Sequence, residues 1–282
     1  MLFASEGDII DEYKMVSEIN SKAESGVWIA EHVKTKNLVA VKIIPKASFE
    51  QAKQLMQYAR GISIMKQIEH PLIVKYISNT EDQQYFYVFM EYCEKGDLSQ
   101  YIERNGQISE NTARKMFCEI IVAVSYLHCV KHIAHRDLNP RNILISNNDS
   151  IKLADFGLSK QFTDSNQLLS TLCGTPQYFA PEMVKGKPYT KAADIWSLGV
   201  LLFQILTGFL PFQGQTLSEL LKKIVYSDII FPSFLTSQVT DLIRKMLNKS
   251  PSERITIEMV QKHPWLNRDE CFNNVCQCIS QL

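Results

Sequence analysis

Within His135 to Asn142, HRDLNPRN, an acid at Asp137 and an amide at Asn142 stand in one short loop, and a second acid follows in the DFG of Asp155, Phe156 and Gly157. Two acids and an amide in this order suit phosphoryl transfer. One carboxylate orients an attacking hydroxyl and accepts its proton, while hard oxygen ligands hold Mg²⁺ against nucleotide phosphates. Asp137 fits the first task, and Asn142 with Asp155 fits the second. Each half alone is a weak signal, because polar loops ending in Asn are common and DFG is only a tripeptide.

Their order and company carry more. VAVK ends at Lys42, APE runs from Ala180 to Glu182, and DIWSLG starts at Asp194, the succession found in the protein kinase signature set. The chain therefore resembles a eukaryotic protein kinase domain over residues 13–266. It is of serine/threonine type and closest in flavour to the calcium/calmodulin-dependent protein kinase group, a flavour that HPWL at His263 to Leu266 shares. The resemblance implies an α+β, bilobal protein kinase fold. Its small antiparallel β-sheet lobe with one main helix covers residues 13–92, its larger, mainly helical lobe covers 93–266, and a short tail covers 267–282.

By the same resemblance the cofactors are ATP and Mg²⁺, and the partners are a protein substrate and an upstream activating kinase. Lys42 pairs with the α- and β-phosphates, where a fixed cation offsets charge on the transferring group. Met90 takes the gatekeeper position, Glu91 to Cys93 form the hinge whose backbone bonds adenine, and Asp97 binds the ribose. Ile19, Val27, Ala40 and Leu144 enclose the purine. Thr175 bonds Asp137 and helps place the acceptor hydroxyl. Thr171 matches an activating phosphothreonine with Arg136 as its cation, and Glu182 with Arg254 forms a buried ion pair under that segment. The apolar positions read equally well as ordinary core, and a strand Lys as a solvated edge residue; register with the stronger motifs separates the readings.

Four positions depart from the family pattern. Counting back from Val27, the three glycine positions of the phosphate loop hold Asn20, Lys22 and Ser25, with Gly26 one residue late. Those glycines let backbone N–H groups approach phosphates without a side chain intervening. Counting back from His70 and Pro71, the helix Glu that clamps the strand Lys falls at Gly61. Glu50 lies roughly 16 Å of helix away, too far to substitute. Gly61 also costs its helix about 1 kcal/mol relative to Ala, which is expected to loosen it. The catalytic-loop Lys is Asn139, and Arg141 stands where some tyrosine kinases carry an arginine instead of that lysine. Gln204 stands where basic-directed kinases place an acid that reads the substrate.

The elements that must position these residues are legible in the apolar periodicity. Alternation around 14–19, 27–32, 38–44 and 85–90 reads as short strands, and 51–68 as a helix. From 111 to 128 the apolar residues Ala113, Phe117, Ile120, Ile121, Val124 and Leu127 recur at helical spacing, and 192–207 is nearly continuously apolar, as in a helix buried all round.

Lys plus Arg number 30 and Asp plus Glu 30, so no overall field favours nucleic acid or an anionic membrane, and neither partner is expected. The opening MLFASEGDII meets acids too soon for a signal peptide. Seven cysteines scattered along the chain suit reduced thiols, and a cytoplasmic or nuclear location is expected. The grouped Cys271, Cys276 and Cys278 read as part of an end segment packing Val275 and Ile279 on the lobe. Two readings stay open: an active but attenuated serine/threonine kinase, with Asp137, Lys42 and both metal ligands intact, and a pseudokinase scaffold that binds partners and nucleotide without turnover.

Overall fold

The structure is a computed structural model that describes residues 3–22, 25–49, 52–162, 168–267, 272, 273 and 276. Strands β1 (Ile9–Ile10), β2 (Tyr13–Lys22), β3 (Ser25–His32), β4 (Leu38–Pro45), β5 (Tyr76–Glu81) and β6 (Tyr85–Glu91) form an antiparallel sheet in the order β1-β2-β3-β4-β6-β5. Helix α1 (Ala52–Gln67) lies between β4 and β5 in sequence. Val27 stands opposite Lys42, Ile29 opposite Ala40, and Ala40 opposite Met90. Directly opposed residues share a face, so Val27, Ala40, Lys42 and Met90 face one way, toward the cleft. Trp28, Ala30, Val39, Val41 and Ile43 alternate onto the other face, where they form a buried cluster with Tyr13, Met15, Tyr87 and Phe89.

The larger lobe contains α2 (Leu98–Asn105), α3 (Glu110–Ser125), α4 (Pro181–Val184), α5 (Ala192–Thr207), α6 (Leu217–Tyr226), α7 (Ser237–Met246), α8 (Ile257–Gln261) and α9 (Pro264–Asn267). Asp97, Ser109, Thr216, Thr236 and Thr256 each accept a hydrogen bond from the backbone N–H three residues on, capping α2, α3, α6, α7 and α8. Each such cap contributes about 1 kcal/mol. Helix α5 is buried on nearly every side, so it serves as the axis around which the lobe packs. Two short ladders bracket the catalytic segments: β7 (Ile133–Ala134) pairs with β10 (Lys160–Gln161), and β8 (Ile143–Ile145) with β9 (Ile151–Leu153). Among the described residues no helix is long and apolar enough to cross a membrane.

Two features differ from the sequence reading. Strands β1 and β5 escape it: β1 is only two residues long, and in β5 the inward positions are half-buried rather than apolar core. Helix α3 stops at Ser125 and continues as a π turn over Tyr126–Val130. In the tail, Phe272 and Cys276 pack on the large core; Val275, Ile279, Cys271 and Cys278 lie outside the described residues.

His70 joins the lobes. Its ring stacks on Tyr126 at 4.7 Å, and its Nδ1 accepts from the Leu72 N–H at 3.1 Å. Burial, helped by the nearby Lys152 charge, pulls His70 from 6.5 down to about 4. The unfolded chain takes up that proton first as pH falls, so the stability of keeping His70 neutral is complete above 6.5 and disappears through about 4. Melting temperature followed from pH 7 to 4 is expected to drop across this window, and less steeply in His70→Gln. Identical slopes in the two proteins would rule His70 out as the titrating group.

Candidate active site

The catalytic loop hangs from one carboxylate. Asp194, in the first turn of α5 and 1 % exposed, accepts from the backbone N–H groups of His135 at 2.8 Å and Arg136 at 2.9 Å, and contacts His128 Nε2 at 2.8 Å. Burial alone would raise its carboxyl, but the His128 contact and the backbone donors together hold it below the usual carboxylate range. Arg136 is bent into the left-handed region at φ 72°, and the two N–H bonds hold it there. The His135 ring then contacts the Ala154 carbonyl at 3.0 Å and packs edge-on to Phe156 at 5.2 Å, which ties the HRD segment to DFG.

Asp137 is gripped from both sides. Its Oδ1 accepts from the Thr175 N–H at 3.0 Å and the Thr175 hydroxyl at 2.8 Å, and its Oδ2 accepts from Asn142 Nδ2 at 2.9 Å. The same Asn142 nitrogen also donates to the Asp137 carbonyl at 2.8 Å, so its amide oxygen is the atom left to act as a ligand. Asn139, 4 % exposed, donates to the Asp137 carbonyl at 3.1 Å and to the Thr175 hydroxyl at 3.2 Å, while its oxygen caps Arg141 N at 3.0 Å. It keeps a polar link across the loop without bringing the charge of a lysine. Arg141 is exposed, and no hydrogen bond or ion pair among the described residues engages its guanidinium.

Across the cleft, Lys42 Nζ meets Asp155 Oδ2 at 2.9 Å, with side chains 27 % and 42 % exposed. The Lys42 ammonium, working against burial, holds the Asp155 carboxyl down at about 2. Lys42 is therefore paired although the helix Glu is missing. Gly61 has a packing role that the sequence did not show. It is buried against DFG itself: a Cβ there would lie 3.1 Å from the Phe156 carbonyl oxygen and 3.4 Å from Gly157 Cα. The glycine lets the α1 backbone touch the DFG backbone.

Met90 and Leu144 pack with buried Val74, Cys93 and Ala154 in a small apolar cluster, and Ala40 and Val27 face it from the sheet. Ile19 is less engaged; it sits at a β-bulge between Glu18 and Asn20 and is 46 % exposed. Glu91 holds the base of this region through Lys152 at 2.8 Å and the Lys75 N–H at 3.1 Å. Asp97 uses Oδ1 to cap α2 through Gln100 N at 2.9 Å, a structural task the sequence did not reveal. Lys22 ends β2, Ala23 and Glu24 at the loop tip lie outside the described residues, and Gly26 proves to lie on the face opposite the cleft.

The Thr171 carbonyl accepts from the Arg136 guanidinium at 3.3 Å and the Tyr189 hydroxyl at 2.7 Å; Arg136 also contacts Cys173 Sγ. Two cations that sequence reasoning missed, Arg60 and Lys160, lie near Arg136. Lys160 is depressed chiefly by burial and further by the charges of Arg60 and Arg136. Below this segment Arg254 grips Glu182 through paired bonds of 2.7 and 2.8 Å, both residues 4 % exposed. Gln204 is held by the Tyr178 hydroxyl.

A family model for the protein kinase domain matches residues 13–266. Serine/threonine-protein kinase SIK1 of Rattus norvegicus is 40% identical over 244 residues, covering 86% of this chain and 31% of that protein. Serine/threonine-protein kinase SIK2 of Gallus gallus is also 40% identical over 244 residues, 86% of this chain and 30% of its own length. CBL-interacting protein kinase 5 of Oryza sativa subsp. japonica is 36% identical over 263 residues, 92% of this chain and 57% of its own. The chain thus spans under a third of the two animal relatives and 57% of the rice protein.

Replacing an interior helical glycine by alanine ordinarily stabilises by about 1 kcal/mol. At Gly61 the added methyl must displace the Phe156 backbone, so urea unfolding of Gly61→Ala is expected to show no gain, or a loss. A full gain of that size would mean that α1 and DFG are only loosely apposed.

Proposed function

The chain belongs to the protein kinase domain family, and we propose that it is a serine/threonine protein kinase that transfers the γ-phosphate of ATP to a protein hydroxyl at an attenuated rate. One observation carries this reading: Asp137 is held by Thr175 and Asn142 in a defined orientation, beside a cleft that also holds Lys42 and Asp155. A carboxylate fixed by three donors keeps one geometry for orienting a substrate hydroxyl and accepting its proton as the bond to phosphorus forms. Thr175 sets both that orientation and the wall against which the acceptor residue lies.

The donor set fits magnesium. Asp155 offers carboxylate oxygens, partly exposed to the cleft, and Asn142 offers an amide oxygen freed by the engagement of its nitrogen; hard oxygens of this kind suit the ion. When bound, Mg²⁺ neutralises charge on the nucleotide phosphates. Lys42 supplies the cation for the α- and β-phosphates, and its ion pair with Asp155 keeps the ammonium in the cleft. Met90, Cys93 and Leu144 with Val27 and Ala40 enclose the purine, Ile19 closes its rim, the Glu91–Cys93 backbone bonds its edge, and the second oxygen of Asp97 is available to the ribose. The glycine-poor loop and the neutral Asn139 account for attenuation, since one lost transition-state donor typically costs about 3 kcal/mol. Arg141, permanently charged and without an internal partner, replaces the missing lysine at the γ-phosphate.

Phosphorylation of Thr171 by an upstream kinase would place a dianion among Arg60, Arg136 and Lys160, and each charge-assisted bond there would help order the segment. A scaffold without turnover is the second reading, favoured by Gly61 and Asn139. Autophosphorylation with Mg-ATP separates the two. The wild type is expected to incorporate phosphate and Asp137→Asn to fall to background, whereas equal background in both would leave the scaffold standing. In the active form Arg141→Ala should lower kcat roughly a hundredfold and Arg141→Lys should recover part of it. An unaltered kcat in Arg141→Ala would remove the arginine from the phosphate.

Substrate choice follows from the same residues. An arginine two residues before the acceptor would meet the like charge of Arg141 and a Gln204 amide whose oxygen is already taken by Tyr178. Such juxtaposition discriminates by up to several kcal/mol. A peptide array is expected to select neutral or acidic residues at that position, with Ser or Thr as acceptor. Strong selection for arginine there would contradict this assignment.

A further inference from the structure

Gly26 is out of step with the phosphate-facing positions, and the sheet register explains why. It pairs with Ile43, whereas Val27 pairs with Lys42, so Gly26 faces away from the cleft. Lying against it is Phe3. A Cβ built on Gly26 would stand 2.5 Å from Phe3 Cδ2 and 3.2 Å from Cε2, well inside the separation of about 3.5 Å at which carbon atoms rest. With the ring in place, only glycine fits. Phe3 is 5 % exposed, packs edge-on to Tyr85 at 6.3 Å, and belongs to the cluster of Trp28, Val41 and Ile43.

The segment that carries Phe3 is tied down along its length. The Ser5 N–H donates to the Asp8 carboxylate at 2.7 Å, the Gly7 N–H to the Met15 carbonyl at 2.9 Å, and the Met15 N–H to the Asp8 carbonyl at 2.8 Å, after which β1 pairs with β2. These bonds deliver Phe3 to the back of the β2–β3 hairpin, close to its turn. Ser25 and Asn20, which occupy two of the family's glycine positions, belong to that same hairpin.

We infer that Phe3 is a positioning residue for the nucleotide loop: its ring, seated on Gly26, pins the hairpin from behind. A loop without its glycines cannot wrap its backbone closely around phosphates, and here the whole hairpin is instead held at a fixed height above Lys42 by a strap on its outer face. The structural claim concerns the hairpin itself. Its consequence for Mg-ATP affinity rests on the kinase reading above.

Hydrogen exchange of the full chain without nucleotide tests the strap directly. In Phe3→Ala the amides of β2 and β3 should exchange at least tenfold faster while β5, at the far edge of the sheet, stays unchanged, and Gly26→Val, which evicts the ring, should reproduce this. Adding Gly26→Val to Phe3→Ala should bring no further change. Tryptophan emission reports release of the ring, because Trp28 lies beneath the strap whereas Trp196 and Trp265 are fully buried in the large lobe. Mg-ATP binding should weaken about tenfold in both single variants. Hairpin exchange that stays unchanged while Trp28 emission shifts to the red overturns the proposal, and so does uniform acceleration across the entire sheet, the mark of general destabilisation. A wild-type chain that binds no Mg-ATP counts against the kinase reading alone, and the exchange data then decide the strap by themselves.

Discussion

A single carboxylate on the central helix sets the geometry of the cleft. Asp194 is almost fully buried, which is tolerable only because donors surround it: two consecutive backbone N–H groups and His128. Those N–H groups belong to the residues immediately before Asp137, so the position of its carboxylate is inherited from α5. Arg254 lies over Trp196 of the same helix and grips Glu182, which extends the support to the segment bearing Thr175. Removing one partner from such a buried pair usually costs about 3–5 kcal/mol. The catalytic loop and the substrate-facing segment thus rest on one helix by two independent polar anchors.

The small lobe solves a different problem. Without a helix glutamate, an unpaired ammonium at Lys42 would sit in a half-buried cleft; Asp155 takes that place, and Gly61 allows α1 to approach the backbone beside it. Lys42 and Asp155 thus satisfy each other in one pair. A nucleotide and metal bound as proposed would share Asp155 with Lys42. That exchange adds a step whose energy depends on two charges already satisfied by each other.

The chemistry-bearing loops were legible because their residue types are tied to fixed spacing; Asp137, Asn142 and Thr175 come together, and Ala154, next to Asp155, donates its N–H to the Asn142 carbonyl. Helix α5 was legible from its unbroken apolar run. What sequence could not convey depended on contacts between distant segments. Gly26 read as a displaced phosphate glycine until Phe3 was seen against it, and Gly61 read as a weak point until the DFG backbone was found beside it. Arg60 and Lys160 carry no motif, and only the β7–β10 ladder brings Lys160 beside the HRD segment. Asn139 looked like a simple loss of charge, whereas its hydrogen bonds make it part of the loop's internal frame.

The floor of the cleft has a pharmacological consequence. Cys93 lies in the apolar cluster proposed to enclose the purine, where a thiol would invite capture by an electrophilic purine analogue. Burial, reinforced by the Glu91 carboxylate, pushes its thiol up to about 12, so at neutral pH almost no thiolate is present to attack. Covalent inhibitors aimed at this cysteine would react slowly. Beside it Met90, an unbranched and adaptable thioether, bounds the back of the cleft, so reversible ligands that press against a yielding wall are the better match to this surface.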